Sequence, residues 1–207
     1  MKLLNLKQSL ITIALVVTLL GGVALVDYFV QLSRSEGAVA PGTEADIGAS
    51  FSLIDQSGKS VTNVDFADKF KLIFFGFTQC PDVCPTTLSR MSQALEQLGP
   101  LADQLYPLFI TVDPERDTPD QLREYAKSFN AGIIYLTGSN EEIASVLKAW
   151  KATRAKVASQ NGEVDTYSMN HSSALYLMTP DNRLAASYNW EIPPEQMVAS
   201  IKTALKH

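Results

Sequence analysis

Short apolar blocks alternate with amphipathic stretches along most of this chain. The segment 51–55 predicts a strand that turns at 56–59 and returns as a second strand at 60–62. The run 72–77 is apolar on both faces, a pattern that indicates a central strand covered by helices. The remaining strands are predicted at 105–112, 133–136, 173–178 and 184–188.

The amphipathic stretches between these strands carry helix-start and helix-stop signals. Pro85 suits the first position of a helix that the Gly-Pro pair at 99–100 stops. Thr118 is placed to cap the next helix, and Ser139 the one after it. A last amphipathic helix is predicted over 193–204. Strands that alternate with helices and end in a hairpin plus one helix predict an α/β fold around a mixed central sheet.

The first part of the chain has a different pattern, because no charged residue occurs over 8–26. As a helix, this segment would reach roughly 28 Å, close to the hydrocarbon thickness of a bilayer. Lys2 and Lys7 precede it, and the positive-inside bias then places the N-terminus in the cytoplasm and the remainder outside. The segment therefore predicts a membrane-spanning anchor.

A cleaved signal peptide is the alternative interpretation of this N-terminal segment. The sequence at 38–40 has the small-x-small pattern of a cleavage site, but it lies well beyond the apolar stretch, which is long for a signal peptide. We therefore predict an uncleaved anchor over 1–30, a linker over 31–46 and a globular domain over 47–207.

The composition allows a packed domain and excludes some functions. Because 46% of the 207 residues are apolar and 19% are charged, a hydrophobic core is expected and global disorder is not. The formal net charge of -5 argues against nucleic acid as a partner, since phosphate binding needs a basic surface. The sequence also contains no G-x-x-x-x-G-K phosphate-binding loop.

The candidate chemistry begins with the two cysteines of the chain, Cys80 and Cys84, which follow the strand at 72–77 directly. The start of a helix offers unpaired N–H groups and a positive dipole end, so both thiols are expected to ionise readily. Thiols of this kind suit either thiol–disulfide exchange or capture of a soft metal ion. A passive structural disulfide is the remaining interpretation, but so small a loop would add little stability.

His171 is the candidate third ligand, since the only other histidine is His207 at the C-terminal position. Two thiolates and one imidazole suit copper, whereas structural zinc wants a fourth ligand and an iron–sulfur cluster usually wants four cysteines. A lone histidine is equally often a surface or hydrogen-bonded residue, and Met169 nearby is more typical of packing than of ligation. The ligand count favours copper.

A charge-rich loop lies at 113–117, after the strand predicted at 105–112. Asp113, Asp117 or Glu115 could supply a metal ligand or part of a docking face. The simpler interpretation is a solvated loop with internal salt bridges, because clusters of surface charge usually have that role.

Several segments resemble the Sco/SenC copper proteins of cytochrome c oxidase assembly. The resemblance covers roughly 47–205 and is most specific in FGFTQCPDVCPTTL over 75–88 and TVDPERDTP over 111–119. The segments GASFSLID over 48–55 and HSS over 171–173 add to it.

This resemblance implies a thioredoxin-like fold that is tethered to the bacterial inner membrane and faces the periplasm. It implies copper held by Cys80, Cys84 and His171. It also implies delivery of copper to the dinuclear copper site of oxidase subunit II, or reduction of the cysteines of that site. The family usually has Asp where this chain has Asn170, so an acidic group beside the histidine is missing and binding of Cu(II) is expected to differ.

Three functions remain as hypotheses from different classes. The first is a copper metallochaperone that binds one ion on an exposed lip beside a helix N-terminus. The second is an enzyme, a thiol–disulfide reductase that needs only Cys80 and Cys84. The third is a membrane-tethered redox or copper sensor. Oxidase subunit II is the expected client, and other periplasmic copper carriers or thiol reductants are further candidate partners.

Overall fold

The computed structural model describes residues 50–129, 132–158 and 167–206, together with Gly22 and the backbone of Ala38–Val39. Except for these few positions, the predicted anchor, the candidate cleavage site and the linker lie outside the described residues. Within the described ranges, each helix is too short or too polar to cross a bilayer.

Most of the strands form one mixed sheet. In order across that sheet they are β1-β10-β9-β4-β5-β6-β2-β3, while β7 and β8 pair with each other in a separate two-stranded sheet. In chain order the strands are β1 (Ala38–Val39), β2 (Ser52–Asp55), β3 (Ser60–Thr62), β4 (Phe70–Gly76), β5 (Leu105–Thr111), β6 (Ile134–Thr137), β7 (Arg154–Ala158), β8 (Tyr167–His171), β9 (Leu175–Met178) and β10 (Leu184–Tyr188).

Strand β4 occupies the middle of the main sheet, as its apolar pattern predicts. It runs parallel to β5 and antiparallel to β9, so that Phe74 lies opposite both Phe109 and Leu175. All three of these side chains are fully buried. The sheet therefore carries β4, and the cysteine segment that follows it, on the best-packed part of the molecule.

Four α-helices cover the sheet in the described part of the chain, and the caps predicted for two of them are present. The Thr118 hydroxyl accepts a hydrogen bond from the Gln121 N–H at 3.3 Å. Ser139 and Glu142 form the predicted capping box, with reciprocal bonds of 3.1 and 2.7 Å. The helices are α1 (Val83–Leu98), α2 (Pro119–Ala126), α3 (Asn140–Ala149) and α4 (Pro194–Ala204), and short 3-10 turns occur at Asn63–Phe66 and Gly99–Gln104.

Helix α1 begins at Val83, ahead of Pro85, where the sequence predicted its start. The preceding Asp82 is the N-cap residue, so Pro85 still lies in the first turn, where its missing N–H costs no hydrogen bond. Because α1 starts earlier than predicted, Cys84 lies inside the helix, while Cys80 lies in the loop before it.

The β7–β8 hairpin was not predicted from the sequence, in which no strand is expected between 136 and 173. His171 is the last residue of β8, just before β9. Four of the five residues of β7 are exposed, so the hairpin lacks the apolar run that identifies a buried strand. Tyr167, Met169 and His171 alternate with the exposed Ser168 and Asn170, which places the first three on the side facing the domain.

Candidate metal site

Gly76, at the end of β4, allows the cysteine helix to approach the sheet closely. A Cβ atom at this position would lie 2.6 Å from the ring of Phe109 and 3.1 Å from Cys84 Sγ. Contacts that short do not occur between real atoms, so any other residue would push α1 or β5 away. Gly76 therefore determines how closely Cys84 can approach β4.

A buried carboxylate fixes the loop that leads to Cys80. Asp117 accepts hydrogen bonds from the Thr78 N–H at 3.0 Å, from the Thr78 hydroxyl at 2.6 Å and from the Thr111 hydroxyl at 2.6 Å. Burial raises the pKa of Asp117, and these hydrogen bonds oppose that shift. Sequence analysis did not single out Thr78, although its position just before the cysteines is the signal that would have identified it.

The prediction of a solvated loop at 113–117 was wrong in its main point. Asp117 is fully buried and Asp113 is 1% exposed. The expected internal salt bridge does exist, because Arg116 Nε pairs with Asp113 Oδ2. Asp113 and Asp117 are thus part of the interior that supports the site, and both carboxylates accept hydrogen bonds from within the domain, whereas Glu115 is exposed.

The two thiols occupy different environments. Cys84 is 0% exposed, whereas Cys80 is partly exposed. The exposed lip expected for both thiols is therefore wrong for Cys84, because α1 holds that residue against the underside of β4. Cys80 is the thiol that a client or a metal ion meets first.

The pKa values of the two thiols diverge for the same structural reason. A hydrogen bond from the Cys84 side chain, together with backbone N–H donors from Cys84 and Asp82, lowers the pKa of Cys80 to about 5 against the opposing effect of burial. The Cys84 N–H lies 3.4 Å from Cys80 Sγ. Donation to Cys80 and burial raise the pKa of Cys84, so the prediction that both thiols ionise readily was wrong for this residue.

His171 presents one ring nitrogen to the thiols. Its Nδ1 lies 2.8 Å from the Ser172 carbonyl oxygen, which can only accept a hydrogen bond, so in the neutral ring Nδ1 is the protonated nitrogen. In that tautomer Nε2 has a lone pair available to a metal, and it lies 3.9 Å from Cys84 Sγ. The ring also packs edge-on against Phe77, with ring centres 5.7 Å apart.

The structure thus brings the three predicted ligands to one end of β4, where Cys84 contacts both Cys80 and His171. A separation of 3.9 Å between Sγ and Nε2 is close to the roughly 3.5–3.8 Å expected for two ligands of one ion, given metal–sulfur and metal–nitrogen bonds of about 2.3 and 2.0 Å. Among the described residues, however, no three His, Cys, Asp or Glu side chains form a ready metal-binding group. The donor types suit copper, but their spacing is wider than in a closed site.

Comparison with known proteins places this arrangement in a recognised group. The family model for SCO1/SenC matches residues 39–206. The protein sco1 of Schizosaccharomyces pombe is 40% identical over 156 residues, which are 75% of this chain and 59% of the yeast protein. A SCO2-like protein of Rickettsia felis is 34% identical over 206 residues, covering 96% of this chain and 99% of that protein.

Solved structures are similar as well. Bradyrhizobium japonicum ScoI with copper bound is 41% identical, with a TM-score of 0.70 over 76% of this chain and 99% of that one. BsSco, a member of the Sco family of cytochrome c oxidase assembly proteins in which a disulfide switch was identified, is 26% identical, with a TM-score of 0.60 over 79% and 96%. The predicted α/β, thioredoxin-like fold is confirmed by these matches.

Proposed function

The chain belongs to the SCO1/SenC family, and on this premise we propose that it is a copper metallochaperone for the assembly of cytochrome c oxidase. One copper ion binds through Cys80, Cys84 and His171 and passes to the dinuclear copper site of oxidase subunit II. The observation that carries this proposal is the placement of His171 Nε2, 3.9 Å from Cys84 Sγ, while Nδ1 faces the Ser172 carbonyl oxygen.

The donor set explains why copper is the preferred cargo. Thiolates select soft ions such as Cu(I), and imidazole suits both oxidation states of copper. Structural zinc would need a fourth ligand, and the sequence has no further cysteine and no other histidine except His207. Support also comes from Bradyrhizobium japonicum ScoI, which was solved with copper bound.

Capture of the ion starts at Cys80, the partly exposed thiol. Cys84 is buried behind it, and His171 completes the ligand set after the β7–β8 hairpin adjusts toward the thiols. Binding displaces the remaining thiol proton, so acid releases the cargo. Transfer proceeds by exchange with the thiol ligands of the client, and oxidation of Cys80 and Cys84 to a disulfide removes the site.

Anaerobic titration of the reduced full-length chain with Cu(I), against a competing chelator, tests the proposal. We expect one tightly bound copper per chain. The double variant Cys80→Ser, Cys84→Ser should lose it, because the serine hydroxyls are hard donors that stay protonated. Full affinity in the double variant would refute a thiolate site.

Thiol–disulfide reduction is the second candidate, and the contrast between the thiols favours it. Cys80, with a pKa of about 5 and partial exposure, has the properties of an attacking thiolate. It would form a mixed disulfide with one client sulfur and release the other as a thiolate. Cys84 would then attack Cys80 and release the second client thiol, leaving this chain oxidised by two electrons and its client reduced.

A variant at His171 distinguishes the two functions. His171→Ala should cripple copper binding and largely spare reduction of a disulfide peptide, because the reductase steps need only the two thiols. Loss of both activities would favour a single site that must be reduced and metallated in sequence.

The membrane arrangement is part of the same proposal and rests on sequence alone. Residues 1–30 form a single-pass anchor in the inner membrane, residues 31–46 a linker, and residues 47–207 a periplasmic domain. A reporter enzyme that is active only outside the cytoplasm, fused after residue 207, should be active. Activity retained in the soluble fraction would instead indicate cleavage of the N-terminal segment.

A further inference from the structure

The hairpin that carries His171 is attached to the domain mainly through side chains. Within the described residues, β7 and β8 pair with each other and with no strand of the main sheet. The position of His171 relative to the thiols therefore depends on contacts between this hairpin and the loops of the domain. The loop at 113–117 supplies three of the hydrogen bonds involved. Arg154 of the hairpin adds three more, to Val112 and Asn140.

The Arg116 side chain contacts both the segment that carries the cysteines and the strand that carries His171. Its Nη1 donates to the Tyr167 carbonyl oxygen at 2.8 Å and to Gln79 Oε1 at 3.0 Å. Gln79 directly precedes Cys80, and Tyr167 begins the strand that ends at His171. Apart from the contact between Cys84 and His171, the hydrogen bonds of Arg116 alone, among those of the described residues, join the segment 77–84 to this strand.

The guanidinium of Arg116 is itself held in place. Its Nε pairs with Asp113 Oδ2, and the other oxygen of Asp113 accepts a hydrogen bond from the Tyr167 hydroxyl at 2.7 Å. The guanidinium also stacks on Tyr167, with Cζ 3.7 Å from the ring centre. The guanidinium is planar, and the buried carboxylate of Asp113 and the ring of Tyr167 fix its orientation. A flexible lysine ammonium cannot reproduce this geometry.

Two of the three guanidinium nitrogens carry this arrangement. Nε pairs with Asp113, and Nη1 donates to the Tyr167 carbonyl and to Gln79. Within the described residues, no protein group accepts a hydrogen bond from the buried Nη2. Phe77 supplies a connection to function, since it lies beneath the guanidinium, 5.9 Å from Cζ, and contacts the ring of His171.

We propose that Arg116 is a positioning residue that sets the distance between His171 and the thiol pair by binding the segments of both at one guanidinium. The effect of Arg116 on copper binding rests on the proposed function. Its effect on the position of His171 is a property of the metal-free protein and is tested without copper. The two claims can therefore fail separately.

The first test compares reduced, metal-free Arg116→Lys with a matched control, Arg123→Lys. Arg123 lies on α2 in an exposed pair with Asp120, and such a pair contributes little. In Arg116→Lys we expect the nuclear Overhauser effect between the His171 and Phe77 rings to weaken. The β8 amides should exchange about tenfold faster or more, because hydrogen bonds to a charged group are lost. Arg123→Lys should match the wild type in both.

The second test measures Cu(II) affinity and visible spectra of the same proteins. Loss of a residue that orients a metal ligand typically lowers affinity by about 10–100-fold, and we expect that range for Arg116→Lys, with a spectrum shifted toward that of His171→Ala. If the wild type binds no copper, the proposed function fails, while the metal-free measurements still decide the role of Arg116.

A second variant keeps the inference testable should Arg116→Lys unfold. Gln79→Ala removes only the acceptor on the cysteine loop, and Gln79 is exposed, so the domain should fold normally. We expect a smaller weakening of the His171–Phe77 effect in the same direction. An unchanged ring contact and unchanged β8 exchange in whichever of these two variants folds would overturn the positioning role.

Discussion

The main sheet and the β7–β8 hairpin supply the site by different physical means. Strand β4 holds the cysteine segment through burial, since Phe74 and its neighbours are fully enclosed and Gly76 lets α1 pack directly on them. The hairpin holds His171 through hydrogen bonds and ion pairs of polar side chains. One part of the ligand set is thus fixed by hydrophobic packing, and the other depends on a few polar contacts.

Because of this difference, substitutions in the two regions should have different effects. Loss of packing in the sheet costs global stability, whereas loss of a polar contact to the hairpin should open that unit locally. Under the proposed function, a rigid cysteine segment combined with a hairpin that can shift would allow the protein to take up and release a metal ion. The following variants test that contrast, from the largest expected effect to the smallest.

Removing a central side chain from the sheet should have the largest effect. Phe74→Ala deletes a fully buried ring that packs against Phe109, and we expect the free energy of unfolding to fall by about 3–5 kcal/mol. Urea denaturation of the reduced protein measures this change. Val64→Ala is the control, because Val64 is 73% exposed and should shift stability by less than about 0.5 kcal/mol. Equal effects of the two variants would contradict the assignment of β4 to the core.

The thiols should differ strongly in reactivity. With a pKa of about 5, Cys80 gains thiolate as the pH rises through that value and should be alkylated by iodoacetamide already at pH 6. Cys84 is buried and its raised pKa keeps it protonated, so its rate should be lower by about 100-fold or more. Mass spectrometry of peptides after timed quenching gives both rates. Similar rates would mean that Cys84 is not enclosed by α1 and β4.

Asp117 should contribute a pH-dependent term to stability. Because burial raises its pKa above the ordinary value of 3.8, the folded protein binds this proton more tightly than the unfolded chain does. The contribution is fully present below about pH 4 and is lost as the pH rises through the raised pKa. The stability of the wild type relative to Asp117→Asn should therefore decline as the pH rises above about 4 and through the raised pKa. A relative stability that increases over this range would show that the hydrogen bonds of Asp117 outweigh its burial.

The smallest effect is expected at Asn170. Its side chain is exposed and alternates with Met169 and His171 along β8, so it points away from the thiols. Although the sequence suggested altered Cu(II) binding, this position leads us to expect that Asn170→Asp changes Cu(II) affinity by less than about threefold, since exposed charges contribute little. Parallel titrations of both proteins measure the ratio. A change of tenfold or more would show that residue 170 reaches the ion.

The sheet and the hairpin also differ in how far the sequence predicted them. The apolar run at 72–77, the cap at Thr118 and the capping box at Ser139 are local signals, and the elements they mark were confirmed. The hairpin has no such signal, because its strands are short, polar and stabilised by residues distant in the chain. His171 was selected by its chemistry alone, so its position at the end of β8 was not foreseen.

The same limit applies to the environment of each ligand. Sequence indicated reactive thiols at a helix start, but not that α1 would bury one thiol and leave the other partly exposed. It marked the loop at 113–117 as charged, but not that Asp113 and Asp117 would be buried. Burial and pairing of charges depend on the tertiary structure, which a local pattern does not contain.

The most direct test of the central claim is the contribution of His171 to copper affinity. Reduced wild type, His171→Ala, Cys84→Ser and the control His207→Ala would be titrated with copper anaerobically, since His207 is the only other histidine. We predict one copper per chain in the wild type and in His207→Ala, with strongly weakened binding in the other two. Equal affinity in wild type and His171→Ala would contradict a site assembled from both regions and would favour thiol–disulfide exchange as the function.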